Sequence, residues 1–202
     1  MTFLESIHLH ISTEPLSSAE LRELWQAAAD IWDQREHEPA FEGYVSADFA
    51  AIHQRLLEMR GQAHTFLEWG SGLGVVTIMA SRLGYDAYGI EVKPELVQEA
   101  RQLAARFSAA AQFAEGSFVP DEFSANLREG DEFHRTDTLE HSAYDELDME
   151  LRDFDLIYAY PWPEEHTLFR SIIRRCAAPQ ALYLRYDVRE GLSLTRPGRK
   201  GR

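Results

Sequence analysis

The chain has 202 residues, a length that suits one α/β domain with a sizeable core. Apolar residues make up 45% and aromatics 11%, which excludes a disordered chain, and the single cysteine, Cys176, excludes an intramolecular disulfide and fits a reducing cytoplasm. A net charge of −14 weighs against a polyanionic partner, because binding nucleic acid depends on Lys and Arg displacing counterions.

In chain order, Ser17-Ser18-Ala19-Glu20 reads as a helix start with a capping box. Leu21, Leu24, Trp25, Ala28, Ile31 and Trp32 then recur at helical spacing as far as His37-Glu38-Pro39. After the aromatic loop Phe41-Glu42-Gly43-Tyr44-Val45, Ser46 or Asp48 caps a second helix to about Arg60, with Phe49, Ile52, Leu56 and Leu57 inward. From His64 the grammar changes to alternating strands and helices. His64 to Glu68 reads as a strand, Val75 to Leu83 as a helix, Ala87 to Glu91 as a strand and Pro94 to Phe107 as a helix opened by proline. Strands follow at Ala111 to Glu115 and Phe154 to Ala159, then a helix from Leu168 to Cys176 and a strand from Ala181 to Tyr186.

Between the third and fourth strands lies an acidic insert, about Pro120 to Arg152, expected to be helical over Asp145 to Leu151. From Glu115 to Asp155 there are 14 Asp or Glu against three Arg. Alternating strands and helices predict an open parallel sheet with helices on both faces. Residues 1–62 are expected to form a helical extension packed on a core domain of residues 63–202.

The first strand runs into Glu68-Trp69-Gly70-Ser71-Gly72-Leu73-Gly74, with glycine at every second position. Such a turn leaves the strand sharply and lets the backbone approach a ligand closely, while the next helix offers unpaired N–H groups. A dinucleotide turn, Gly-x-Gly-x-x-Gly, would need its third glycine at position 75, which is Val75. Glu68, two residues before the first glycine, would repel a pyrophosphate and suits an ammonium group. The second strand ends at Glu91-Val92, where a carboxylate can accept both hydroxyls of a ribose. The third ends in Gly116-Ser117-Phe118, with a hydroxyl that can accept a hydrogen bond and a ring that can cover a base.

This order of motifs resembles the class I S-adenosylmethionine-dependent methyltransferases, and in particular small bacterial members of that superfamily without a defined substrate. The resemblance implies a Rossmann-like fold, S-adenosyl-L-methionine as cofactor and methyl transfer to a small molecule or a protein side chain. It implies that Glu68 bonds the methionine end, that Gly70, Ser71 and Gly72 lie against the cofactor, and that Glu91 holds the ribose. Val92 would pack on the adenine and the Gly116-Ser117-Phe118 turn would flank it. Where the family commonly has Asp after this glycine, the chain has Ser117, which carries no charge. Tyr158 is assigned to the same site, and Tyr44 is expected to reach the methionine end from its loop.

Tyr160-Pro161-Trp162 follows the fourth strand and would border the transferred methyl group. Methyltransferases acting on amino groups of bases or glutamine often carry Asp or Asn at the first of these positions; here Tyr160 stands instead. Tyr160 and Trp162 are read either as an aromatic wall around a flat or cationic acceptor or as packing under the insert. No catalytic residue is assigned. No metal site is expected, His134 and His141 with Asp131 and Asp137 being read as a solvated loop, and Cys176 is read as core packing.

Only 16 residues follow Tyr186, too few for the two strands that usually end this family's sheet. One short strand, Leu192 to Thr195, can return in a hairpin around Glu190-Gly191, giving five or six strands and an exposed edge through which a homodimer could form. This truncation keeps a non-catalytic S-adenosylmethionine-binding or interaction domain open as an alternative, with a nicotinamide-dependent oxidoreductase as a third reading. No apolar run reaches the roughly 18 residues of a membrane span, and residues 1–10 show no signal-peptide pattern. The expected partners are therefore a small-molecule or protein substrate, with no membrane and with nucleic acid disfavoured.

Overall fold

The computed structural model describes residues 11–12, 14–42, 45–124 and 141–197. Helix α1 (Ser18–Arg35) begins at the expected capping box, in which the Ser17 hydroxyl accepts from the Glu20 N–H and the Glu20 carboxylate accepts from the Ser17 N–H. Asp48 caps α2 (Phe49–Glu58) by accepting from the Ala51 N–H. Ile52 and Leu56 of α2 are fully buried. Leu57 is not inward as expected: it is 40% exposed, because it lies about 100° round the helix from Leu56.

The sheet then alternates with helices. Strand β1 (Thr65–Trp69) leads to α3 (Val75–Arg82), β2 (Asp86–Glu91) to α4 (Pro94–Arg106), and β3 (Gln112–Glu115) to a one-turn helix α5 (Asp121–Ser124). After the insert come a one-turn helix α6 (Tyr144–Leu147), β4 (Leu156–Ala159), α7 (His166–Cys176), β5 (Leu182–Asp187) and β6 (Gly191–Thr195). The helix expected over Asp145 to Leu151 stops early because Asp148 turns left-handed at φ 51° and caps α6 with its own N–H. A 3₁₀ turn, Leu151–Asp153, follows.

The six strands stand in the order β3-β2-β1-β4-β5-β6, and only β6 is antiparallel, paired with β5. Tyr186 faces Leu192 and Asp187 faces Gly191 across that hairpin. The side-chain period of two divides the buried strand residues between two cores. Phe66, Tyr158 and Leu184 face one core with α1 to α4, and Leu67, Ile157 and Tyr183 face the other with α7. Both α1 and α2 pack on α3 and share its core. Among the described residues no helix is long and apolar enough to cross a membrane. Cys176 is buried in the α7 core.

Candidate functional site

Parallel strands present their C-terminal tips at one edge of the sheet, and ligands of open α/β sheets bind where the strand order reverses. Here the order reverses between β1 and β4, and at that point lies a cavity of about 660 Å³, within the usual range for a small-molecule site. Residues from the tips of β1, β2, β4 and β5 line it.

The turn from β1 to α3 forms the floor. Gly70, Gly72 and Gly74 have φ of 66°, 52° and 72°, a region that L side chains rarely adopt. A Cβ on Gly70 would meet no atom within 4 Å and would project into open space, whereas one on Gly74 would lie 2.5 Å from the Phe113 ring. Gly70 and Gly72 line the cavity; Gly74 serves packing between α3, α4 and β3.

Glu68 is buried and its Oε2 accepts from both the Thr77 N–H (2.9 Å) and the Thr77 hydroxyl (2.6 Å). It thus caps α3, whose own N-cap, Gly74, has no side chain to do so. Burial pushes its carboxyl up to about 8; the Thr77 bonds oppose that shift and the Glu91 charge adds to it. Glu91 accepts the Gly72 N–H on Oε2 (2.9 Å) and the Lys93 N–H on Oε1 (3.2 Å). Burial raises its carboxyl too, against the pull of those backbone donors. Both glutamates face the cavity. So do Ser71 and Tyr158, whose buried hydroxyls have no hydrogen-bond partner among the described residues. Tyr158 pairs with Glu68 across β1 and β4.

Most residues expected from the sequence converge here: Glu68, Gly70, Ser71, Gly72, Glu91, Val92, Gly116, Phe118 and Tyr158, with Tyr160, Pro161 and Trp162 beside them. Ser117 is buried and is not among the residues that line the cavity. Its hydroxyl accepts from the Val119 N–H two residues on (3.2 Å), and its backbone bridges to Ser142. Phe118 stacks on Trp69 (4.8 Å between centroids, 15° between planes), and Tyr144 ties the pair by accepting from the Trp69 indole and donating to the Phe118 carbonyl. Tyr44 lies outside the described residues, although Glu42 and Val45 on either side line the cavity. Lys93 donates to the Pro39 and Glu42 carbonyls.

Sequence reasoning expected the β5–β6 hairpin but missed that its turn and the start of α7 line the cavity. Asp187 lines the cavity, with its Oδ1 held by the N–H groups of Arg189 (2.8 Å) and Glu190 (3.0 Å). Those bonds hold its carboxyl below the ordinary value. Arg185 donates to His166 Nδ1 (2.6 Å) and pairs with Glu190 (2.5 Å). An arginine can only donate, so neutral His166 carries its proton on Nε2, which stands 3.5 Å from Asp187 Oδ2. Burial and the Arg185 charge keep His166 below the ordinary histidine value. The signal for Asp187 was its place at a strand tip, the argument that had singled out Glu91.

Among the described residues no group of three or more His, Cys, Asp or Glu could hold a metal ion. Of the insert residues weighed for a cation, Asp131, His134 and Asp137 lie outside the described residues.

The sequence matches no protein-family model and no curated protein. Solved structures share its fold. An O-methyltransferase from Bacillus cereus in complex with SAH is similar at 16% identity and a TM-score of 0.54, over 87% of this chain and 69% of that one. A methyltransferase from Geobacter sulfurreducens is similar at 12% identity and a TM-score of 0.53, over 85% and 74%. The PH0226 protein of Pyrococcus horikoshii is similar at 16% identity and a TM-score of 0.50, over 77% of this chain but 63% of its own length. Among the described residues, six strands, five of them parallel, with helices on both faces and a glycine turn at the switch point, give the Rossmann-like fold that these two solved methyltransferases share.

Proposed function

We propose that the chain is an S-adenosylmethionine-dependent methyltransferase acting on a small molecule or a protein side chain. The observation that carries this reading is the pairing of two buried carboxylates, Glu68 and Glu91, with Ser71 and Tyr158, whose buried hydroxyls have no partner among the described residues, all four residues lining one cavity. Burying such hydroxyls without partners costs about 1–3 kcal/mol each, so the site is built for a polar ligand. Glu68 would hold the ammonium of the methionine part, with Ser71 and Tyr158 taking its remaining polar groups. Glu91 would hold the ribose, and Val92 and Phe118 would pack on the adenine. Open space above Gly70 leaves room for close backbone contact. The group supplies, when bound, an electrophilic methyl on a sulfonium. The chain's own residues orient the acceptor, through Tyr160, Pro161 and Trp162, and exclude water from the apolar end of the cavity.

Titration calorimetry with S-adenosylmethionine and S-adenosylhomocysteine tests the cofactor, and transfer of a labelled methyl to cell extracts tests the reaction. Micromolar affinity together with a labelled product is expected. Absence of affinity in folded protein, or preference for a nicotinamide dinucleotide, would overturn the proposal. Affinity without any labelled product would favour a binding domain.

A further inference from the structure

The cavity extends past the β4 tip to a group of side chains that the cofactor reading does not use. Asp187 anchors this end. Two backbone N–H groups fix its Oδ1, so the carboxylate cannot swing away, and its side chain is only 11% exposed. Its second oxygen is less well served. His166 Nε2 stands at 3.5 Å, beyond a normal hydrogen bond. The guanidinium on the same strand, Arg185, donates to His166, Glu190 and Ser193 rather than to Asp187. Arg189 meets Asp187 through its backbone N–H. Asp187 therefore keeps an acceptor oxygen and a charge that no cationic side chain among the described residues hydrogen-bonds.

The surroundings favour a cation further. Tyr160 and Trp162 line the same cavity, and Tyr160 is braced edge-on against Tyr186 at 4.9 Å. Aromatic rings attract a cationic nitrogen, more strongly when water is excluded. Glu165 and Glu190 add carboxylates to this end, Glu190 being paired with Arg185, and with Asp187 they outnumber the two cations there, Arg185 and Arg189. A carboxylate ligand would be repelled, and a neutral hydroxyl would gain only one hydrogen bond.

We propose that this end of the cavity is an amine-binding site, in which the Asp187 carboxylate selects a cationic nitrogen between the rings of Tyr160 and Trp162. This rests on the methyltransferase reading and names its acceptor class, an amine that binds as the ammonium and loses one proton to solvent before its nitrogen lone pair can take the methyl group. Asp187 is the specificity-determining residue, and the Arg189 and Glu190 N–H groups position it.

Ligand-observed NMR on protein saturated with S-adenosylhomocysteine provides the test, with n-butylammonium, n-butanol and butyrate as matched probes. Butylammonium should bind at least tenfold more tightly than either of the others. In Asp187→Asn the amide oxygen can still accept from the two turn N–H groups, so the hairpin should persist. Butylammonium affinity should fall at least tenfold, while affinity for S-adenosylhomocysteine stays within twofold. Tyr160→Leu should weaken butylammonium about threefold. Equal binding of butanol or butyrate, no binding of butylammonium, or an unchanged Asp187→Asn would each overturn the amine assignment alone. Failure of S-adenosylhomocysteine to bind the unaltered protein would remove the cofactor reading and this proposal with it.

Discussion

Glu68 serves two partners, and its protonation links them. One oxygen caps α3 through Thr77, while the carboxyl as a whole faces the cavity with its affinity for protons raised to about 8 from 4.5. Because the folded value lies above the unfolded one, the protonated group stabilises the ligand-free fold fully below about pH 4.5. That contribution is lost as pH rises towards 8. A cationic ligand reverses the preference, since it favours the ionised form. Affinity for S-adenosylmethionine should therefore climb between about pH 6 and 8.5, with a proton released on binding in the lower part of that window. Calorimetry in buffers of different ionisation enthalpy measures this directly. Glu68→Gln keeps an acceptor for Thr77 but not the charge. It should flatten the pH dependence and cost roughly ten- to a hundredfold in affinity, the worth of about 1.5–3 kcal/mol for a charged hydrogen bond. A steep profile surviving in the variant would refute the role. At this scale the sequence was legible where a charged residue ends a strand, as at Glu68 and Glu91. It was not legible at Ser117, whose hydroxyl is taken by an N–H two residues away, nor at Asp187, which lies one residue past the expected end of its strand.

At the scale of elements, the glycine turn separates two jobs that its even spacing conceals. Gly74 and Gly70 share a left-handed backbone, so alanine at either should cost about 1–2 kcal/mol of strain. Only at Gly74 would the new methyl also meet the Phe113 ring at 2.5 Å and the Ala100 Cβ at 2.9 Å. Gly74→Ala should thus lose about 2–4 kcal/mol of stability in urea unfolding and affect ligand affinity only through that loss. Gly70→Ala should stay near the strain cost alone but lose most of its affinity for S-adenosylhomocysteine, because its methyl enters the cavity. An exchange of these outcomes would mean that the ligand lies elsewhere. The elements themselves were legible because apolar spacing and caps agreed, as at Ser17 and Pro94. They were not legible where one residue's backbone decided. Asp148 ends α6 by turning left-handed, a choice that its helix-forming neighbours do not announce.

Across the whole molecule, four strand tips bring Glu68, Glu91, Tyr160 and Asp187 to one crevice, while the chain as a whole carries a net charge of −14. The two facts act together on partner choice. A fixed carboxylate inside and excess carboxylates outside both lower the potential that an approaching molecule meets, which speeds cations and slows anions. Nucleic acid is the strongest case. Even non-specific complexes with it draw on several Lys or Arg contacts to phosphate and reach dissociation constants of about 10⁻⁴–10⁻⁶ M. Here 34 acidic residues oppose 20 basic ones, and Arg35, Arg101, Arg106 and Arg185 are already paired with carboxylates. A short single-stranded RNA should therefore bind more weakly than about 10⁻⁴ M near physiological salt, and treating an extract with ribonuclease should leave methyl incorporation unchanged. Filter binding over a salt series checks the first expectation. Retention that rises steeply as salt falls would expose a basic face strong enough to override the net charge, and loss of the labelled product after ribonuclease would place the acceptor on RNA.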